Sequence, residues 1–234
     1  GSLGAITAVL VLVFRDTILG FVTGLHVATS RNLKTGDWIG IPKYNLEGTI
    51  EDINLLTTKI LCFDKTISTI PTYDLLSTEI KNLQVMSETN TRRIKRSIVF
   101  NINSFKFVDE DLFAKLMHLN LLKEYLSEKR PKIFPEDEDT SSNMNIMNGE
   151  QLTNIGVFRI YALHYIKNNP NIDISDVMMV RQMESTPQGL PLEIYCFTNN
   201  SVWEEYEQIQ SDIFDHLLVA TKEFELEVVQ LTKA

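Results

Sequence analysis

Residues 3–30 read LGAITAVLVLVFRDTILGFVTGLHVATS, and the nature of the whole chain turns on this stretch. Across residues 1–30 the only formal charges are the adjacent Arg15 and Asp16, and Arg31 and Lys34 arrive as the apolar run ends. An unbroken run of about 20 apolar residues would be a plain lipid-facing helix. A charge pair at its middle changes that reading, because each such group at a bilayer centre costs roughly 2.5–3.5 kcal/mol on insertion scales. The pair is therefore expected at an interface or facing water. The segment is expected to form two half-helices with a kink at Arg15 and Asp16, where Asp16-Thr17 offers an N-cap to the second half.

In the first half, Gly1, Gly4, Ala5, Ala8 and Leu12 share one helical stripe, while Ile6, Leu10 and Val13 lie towards another side. Small residues let backbones approach closely, a main way of holding helices together in lipid. Two readings stay open: the stripe packs on another helix of the same chain, or identical helices ring an apolar pore. The residues alone favour the first. In the second half, Ile18, Phe21, Val22 and Leu25 form one face and Thr17, Gly20, Gly24 and Ala28 another. That half lies along the interface or packs on the soluble region by its small-residue face. Arg31 and Lys34 place the rest of the chain on the cytoplasmic side by the positive-inside rule.

Most of the chain is water-soluble in composition: its 234 residues, 44% hydrophobic and 23% charged, are enough for one large or two small domains. A net charge of -9 argues against a general nucleic-acid or anionic-lipid surface. Cys62 and Cys196 lie far apart in strand-like runs with no metal or redox spacing, and both read as small core hydrophobes in a reducing compartment. The opening Gly1-Ser2-Leu3 lacks a methionine and any secretory-signal layout, and reads as part of something longer.

Residues 36–90 read as a small all-β unit. Short strands at 36–42, 48–54, 56–63 and 66–71 are separated by breakers, which suggests a partly open barrel. From Arg92 the pattern becomes α+β: a strand at 94–102, a helix at 109–129 with a leucine stripe, and a loop at 130–148 with the acidic run 136–139. Beyond the loop come a helix at 152–167, a hairpin of 177–183 with 192–197, a helix at 202–224 and a strand at 226–231. With one helix inserted, that order is the split βαβ, or ferredoxin-like, sandwich.

Residues 3–21, then KTGDWI from Lys34, GTIEDI from Gly48 and KTISTIP from Lys65, resemble the core of the MscS-like mechanosensitive channels. RRIKRSI from Arg92 and FTNNSVWEEYEQIQSDIFDHLL from Phe197 look like its miniconductance branch. The resemblance implies a membrane α-helix (1–34, a pore-lining and interfacial pair), a small Sm-like β-barrel domain (35–91) and a ferredoxin-like α+β cytoplasmic domain (92–234). It further implies a homo-heptamer in a bacterial inner membrane, contacting lipid and passing ions and small solutes when tension rises in hypoosmotic shock. Ala8 and Leu12 fall where the family places its two constriction rings, Gly4, Ala5, Gly20 and Gly24 serve helix packing, Arg15 and Asp16 mark the kink, and Arg31 matches a position of the second half-helix. Two departures stand out. Ala8 is small where the family has a leucine pair, which implies a wider ring or a gate of Leu12 alone. The family's Ile-Pro-Asn is here Ile70-Pro71-Thr72.

An apolar ring narrow enough to dewet blocks ions without a plug, and tension selects whichever state occupies more area. Arg15 and Asp16 either pair at the kink or simply mark the polar boundary. No catalytic set, metal spacing or cofactor motif is present. His26, His118, His164 and His216 are dispersed, His118 and His216 reading as surface or interface residues, and Asp109-Glu110-Asp111 and Glu204-Glu205 read as helix-start charges. Two alternatives remain: a membrane-anchored osmotic sensor whose acidic run responds to ionic strength, and a nucleic-acid-binding scaffold. Nucleic acid is not expected, given the acidic balance and the lack of a strand that interleaves basic and aromatic residues. The one basic cluster, Arg92-Arg93-Ile94-Lys95-Arg96, suits a neighbouring domain, an acidic subunit surface or permeating anions.

Overall fold

The computed structural model describes residues 2–29, 33–134 and 151–230. Gly1, Arg31 and the acidic run 136–139 lie outside the described residues. The chain divides into two compact units, Gly1–Thr89 and Asn90–Ala234.

The first unit opens with α1 (Ser2–Thr29), a single helix of 28 residues. The expected break is absent. Residues 2–29 contain no proline, so nothing removes a donor from the helical ladder. The charge pair needs only exposure, and Arg15 and Asp16 are both exposed on the unbroken helix.

Strands β1 (Trp38–Ile41), β2 (Leu46–Ile53), β3 (Thr57–Cys62) and β4 (Ile67–Pro71) come next, then α2 (Asp74–Ser77), β5 (Lys81–Asn82) and α3 (Gln84–Thr89). They form one antiparallel sheet in the order β4-β3-β2-β1-β5, with a bulge between Ile50 and Asp52 that sharpens its bend. The bend gathers Ile39, Ile41, Ile50, Ile60 and Ile70, with Leu75, into a small core. Ile70, not Ile67, is the inward residue of β4. The two-residue β5 carries too little pattern to be read from sequence. It closes the β1 edge through the pairs Ile39 with Asn82 and Gly40 with Lys81.

The second unit begins with β6 (Arg92–Phe100), followed by α4 (Glu110–Met117), α5 (Lys123–Ile133), α6 (Asn154–Lys167), β7 (Met179–Gln182), β8 (Leu190–Thr198) and α7 (Trp203–Ala220). The sheet is antiparallel in the order β6-β8-β7. The expected last strand is reduced to a bridge of Val228 with Phe100, flanked by backbone bonds from Asn101 to Glu227 and from Val229 to Val99, both 2.9 Å. It lies on the free side of β6, so the spatial order is that of the ferredoxin-like sandwich.

The helix expected at 109–129 is two. Asp109 caps α4 by accepting from the Leu112 amide at 2.9 Å. The chain then turns through tight three-residue bonds, Leu119 to Leu116 and Leu122 to Leu119, which seat Leu122 and Leu126 fully in the core. The expected loop begins later than 130, because buried Ile133 holds a last turn of α5 despite Pro131. Thr153 caps α6, its hydroxyl accepting from Gly156 at 3.2 Å.

Phe100, Phe158 and Phe224 form the aromatic centre of this core, with rings at 5.2–5.5 Å from Phe158. Cys196 is fully buried, and burial pushes its thiol up to about 12, so it is inert at neutral pH. Cys62 departs from expectation: it is half-buried at the end of β3, its Sγ 3.4 Å from Ser68 Oγ. His216 is exposed, in keeping with the surface reading, yet it makes specific contacts. Its ring stacks on Tyr165 at 4.0 Å and its Nε2 lies 2.8 Å from the Tyr161 hydroxyl, an environment that lowers its pKa by desolvation.

Candidate pore helix and its seat on the β domain

Helix α1 has two environments along its length. From Gly4 to Ile18 every residue is exposed, including Ile6, Val9, Leu10, Val11, Leu12, Val13 and Phe14 on all sides of the helix. Leu12 is 71% exposed, the extreme among these. Such a surface is not stable in water. The apolar span Gly4–Leu25 has 22 residues, about 33 Å at 1.5 Å per residue, which matches a hydrocarbon core of about 30 Å. An apolar helix with no polar face belongs in a membrane or among other apolar helices.

Ala8 and Leu12 stand one helical turn apart on the same side, about 6 Å along the axis. Gly4 and Ala5 lie on the same stripe, and nothing approaches within 4 Å of where a Gly4 Cβ would be. Among the described residues, then, the small residues of the first half are exposed and Gly4 has no close neighbour.

The second half is different. Gly20 and Thr23 are buried and Gly24 is half-buried. Their cover is the tip of the β2–β3 hairpin, Leu55-Leu56: a Cβ on Gly20 would lie 2.7 Å from the Leu55 carbonyl oxygen and 3.1 Å from Leu56 Cδ2, and one on Gly24 would lie 3.0 Å from Leu55 Cδ2. Gly20 therefore allows a backbone-to-backbone approach that no other residue permits. Of the four small residues assigned to helix packing, Gly20 and Gly24 are thus occupied by the protein's own β domain, as the packing alternative for the second half anticipated.

The hairpin tip is itself held rigidly. Asn54 donates its amide to the Thr57 carbonyl at 2.9 Å. Thr72, fully buried just after β4, donates its amide to Leu56 O at 3.0 Å and its hydroxyl to Asn54 O at 2.7 Å. Its hydroxyl proton is thereby used, so the 3.0 Å contact with buried Thr58 Oγ1 has Thr58 as donor. Two residues on, Asp74 accepts from Lys43, Tyr44 and Ser77. The Tyr44 hydroxyl, and then the Lys43 ammonium, hold its carboxyl below the usual carboxylate range against the opposing effect of burial.

Leu55, Leu56, Thr23 and Thr72 were not read as functional from sequence. One signal was available: a hairpin tip normally takes Gly, Asn, Asp or Pro, and an exposed Leu-Leu there asks for a partner.

A membrane-length helix seated by glycines on a bent β-sheet, followed by a ferredoxin-like unit, defines a membrane protein with substantial domains outside the bilayer. Residues 16–85 match the family described as mechanosensitive ion channel, beta-domain, and residues 162–228 match that described as mechanosensitive ion channel MscS, C-terminal; together they span more than half of the chain. The chain belongs to the MscS family of mechanosensitive ion channels. It is 23% identical over 200 residues to the low conductance mechanosensitive channel YnaI of Escherichia coli, covering 86% of this chain and 44% of that protein. To the small-conductance mechanosensitive channel MscMJ of Methanocaldococcus jannaschii it is 32% identical over 103 residues, 44% of this chain and 28% of that one. In fold it is similar to closed-state Helicobacter pylori MscS, with a TM-score of 0.59 at 16% identity over 99% of this chain and 70% of that one. It is likewise similar to Arabidopsis thaliana MSL1, with a TM-score of 0.64 at 15% identity over 97% and 64%. The chain spans less than half the length of these two curated relatives.

Proposed function

We propose that this chain supplies the pore helix and cytoplasmic domains of a tension-gated channel that opens in hypoosmotic shock and releases ions and small solutes. Copies of α1 surround the pore, with Ala8 and Leu12 forming stacked rings. The observation that carries this reading is the contrast along α1: a first half apolar and exposed on every side, and a second half seated on its own β domain. One flank of the first half meets lipid, and the stripe of Gly4, Ala5, Ala8 and Leu12 meets neighbouring copies and the lumen.

In the resting state the Leu12 ring is narrow and apolar, and water leaves it. An ion would have to shed hydration with nothing to replace it. Tension favours the wider arrangement of helices because it occupies more membrane area. The Leu55-Leu56 seat gives α1 a fixed base against which the first half tilts. The assembly is a homo-heptamer of the bacterial inner membrane with its β and α+β domains in the cytoplasm, and the chemistry it needs involves no cofactor and no enzymatic step.

Patch recordings from giant vesicles carrying the protein provide the test. Suction is expected to evoke discrete currents, and Leu12→Ser is expected to lower the threshold. A protein that inserts fully but carries no current up to membrane rupture would turn the reading towards an osmotic sensor that does not conduct.

A further inference from the structure

The basic cluster of β6 is split by strand alternation. Arg92 and Arg96 turn to the helix side, their guanidinium carbons 4.5 Å and 4.6 Å from the Tyr206 and Phe214 ring centroids. Arg93, Lys95 and Ser97 point to the other face and are exposed. Directly opposite them on β8, by register, lie Phe197, Tyr195 and Glu193, and on β7 Met179 faces Tyr195 and Arg181 faces Glu193. The interleaving of basic and aromatic residues that no single strand shows is thus made across two strands.

The chemistry of this face is specific. Arg181 binds Glu193 Oε1 through Nε at 2.8 Å and through its terminal nitrogen at 2.7 Å, and Lys95 lies 3.9 Å from Oε2. Glu193 is nearly buried, whereas Arg181 and Lys95 are each about half exposed. Three cations against one carboxylate leave two positive charges in surplus on a protein whose net charge is -9. Tyr195 and Phe197 are half-buried, their rings edge-to-face at 5.7 Å, and the Arg93 guanidinium lies 5.8 Å from the Tyr195 centroid. Aromatic rings on the central strand of an antiparallel sheet, flanked by cations, are a stacking platform for a planar base and a binding surface for its phosphate.

We propose that the open face of the β6-β8-β7 sheet binds a small ring-bearing phosphate of the nucleoside monophosphate class. The base stacks on Tyr195, with the perpendicular Phe197 ring beside it, and the phosphate meets Arg93 and Lys95. Size follows from charge: a polyanion many residues long would be repelled by the acidic remainder of the protein, whereas a ligand with one phosphate experiences the local surplus. This inference is independent of the pore reading, since it concerns one face of the second unit alone.

Titration of the full chain in detergent with adenosine monophosphate, followed by calorimetry, tests it. Saturable binding is expected that weakens as salt rises. Lys95→Gln and Arg93→Gln are each expected to weaken it roughly tenfold, by loss of one charge-assisted contact. Tyr195→Leu is expected to weaken it about tenfold through lost stacking. Arg181 is left intact because its removal would strand buried Glu193. Adenosine and ribose 5-phosphate, each carrying half of the ligand, should each bind at least about tenfold more weakly. No saturable binding at millimolar ligand, equal affinity for Lys95→Gln and the parent, or tighter binding per site of a uridine oligomer than of the monophosphate would each overturn the proposal. So would a change in subunit number caused by Arg93→Gln or Lys95→Gln, because the face would then lie between copies of the chain.

Discussion

The two halves of α1 are built from nearly the same residues, yet they are held by different things. From Gly4 to Ile18 every residue of the helix is exposed, whereas Gly20 and Gly24 rest on Leu55 and Leu56. Glycine illustrates the difference. At position 4 a Cβ would meet open space, and at position 20 it would collide with a backbone oxygen at 2.7 Å. A small residue in a membrane helix therefore says that something comes close, but not what. In the second half the neighbour is the protein's own hairpin, and in the first half none lies within 4 Å of a Gly4 Cβ among the described residues.

The comparison is tested most severely at Leu12. If the first half lines a dewetted pore, Leu12→Asp should wet the ring and give current without applied tension, read as resting conductance in vesicles and as poor growth of cells expressing the variant. Leu25→Asp, exposed on the same helix but beyond the ring, should insert less well without opening a resting pore. Equal leakage from both would break the distinction between the halves. Next in size is Gly20→Leu, whose side chain has no room over the Leu55 carbonyl. Overpacking of this kind costs about 1–3 kcal/mol, and faster hydrogen exchange at residues 54–57 and a lower melting temperature of the β domain should report it.

The reach of the sequence can be judged at the same places. The strands of the β unit and the ferredoxin-like order were legible because breakers and apolar periodicity are local signals, whereas which isoleucines, at 39, 41, 50, 60 and 70, form the core emerges only from the folded sheet. The break at Arg15 and Asp16 was not, since a charge pair states where water must be and leaves the backbone free to continue. The Leu55-Leu56 seat was only half legible: the glycine face was visible, but its partner lies on a hairpin about 30 residues away and shows itself only as two leucines where a turn should be polar. The open sheet face was missed for a similar reason. Arg93 opposite Phe197 and Lys95 opposite Tyr195 are neighbours by register, and register over about a hundred residues of sequence is not readable from either strand.

Thr72 sharpens the docked half of the comparison. Thr72→Val keeps the shape but removes the 2.7 Å donor to the Asn54 carbonyl and leaves the buried Thr58 hydroxyl without its 3.0 Å acceptor, a loss of about 1–3 kcal/mol. If the hairpin tip is what steadies α1, this variant should raise exchange both at residues 54–57 and at residues 20–24, and leave residues 8–14 unchanged. Asp74 then gives the pH dependence. Its carboxyl is held below its ordinary value, so its contribution is complete above the unfolded value of about 3.9 and disappears as pH falls through the lower folded value. Thermal unfolding of the β domain should lose stability over that acid window, and Asp74→Asn should flatten the loss while lowering stability at neutral pH.

Gly4→Ala is expected to have the smallest effect on the chain itself and carries the most information about its surroundings. Within one chain the added methyl meets nothing, and alanine is the better helix former by up to about 1 kcal/mol, so an isolated helix should gain slightly. Packed against a neighbouring copy through the stripe of Gly4, Ala5, Ala8 and Leu12, the same methyl would force the backbones apart, because that contact depends on the absence of a side chain. The two cases differ in sign as well as in size. A shift in tension threshold with unchanged β-domain stability would place a second helix against Gly4, and an unchanged threshold would leave the first half facing only lipid and lumen at that level.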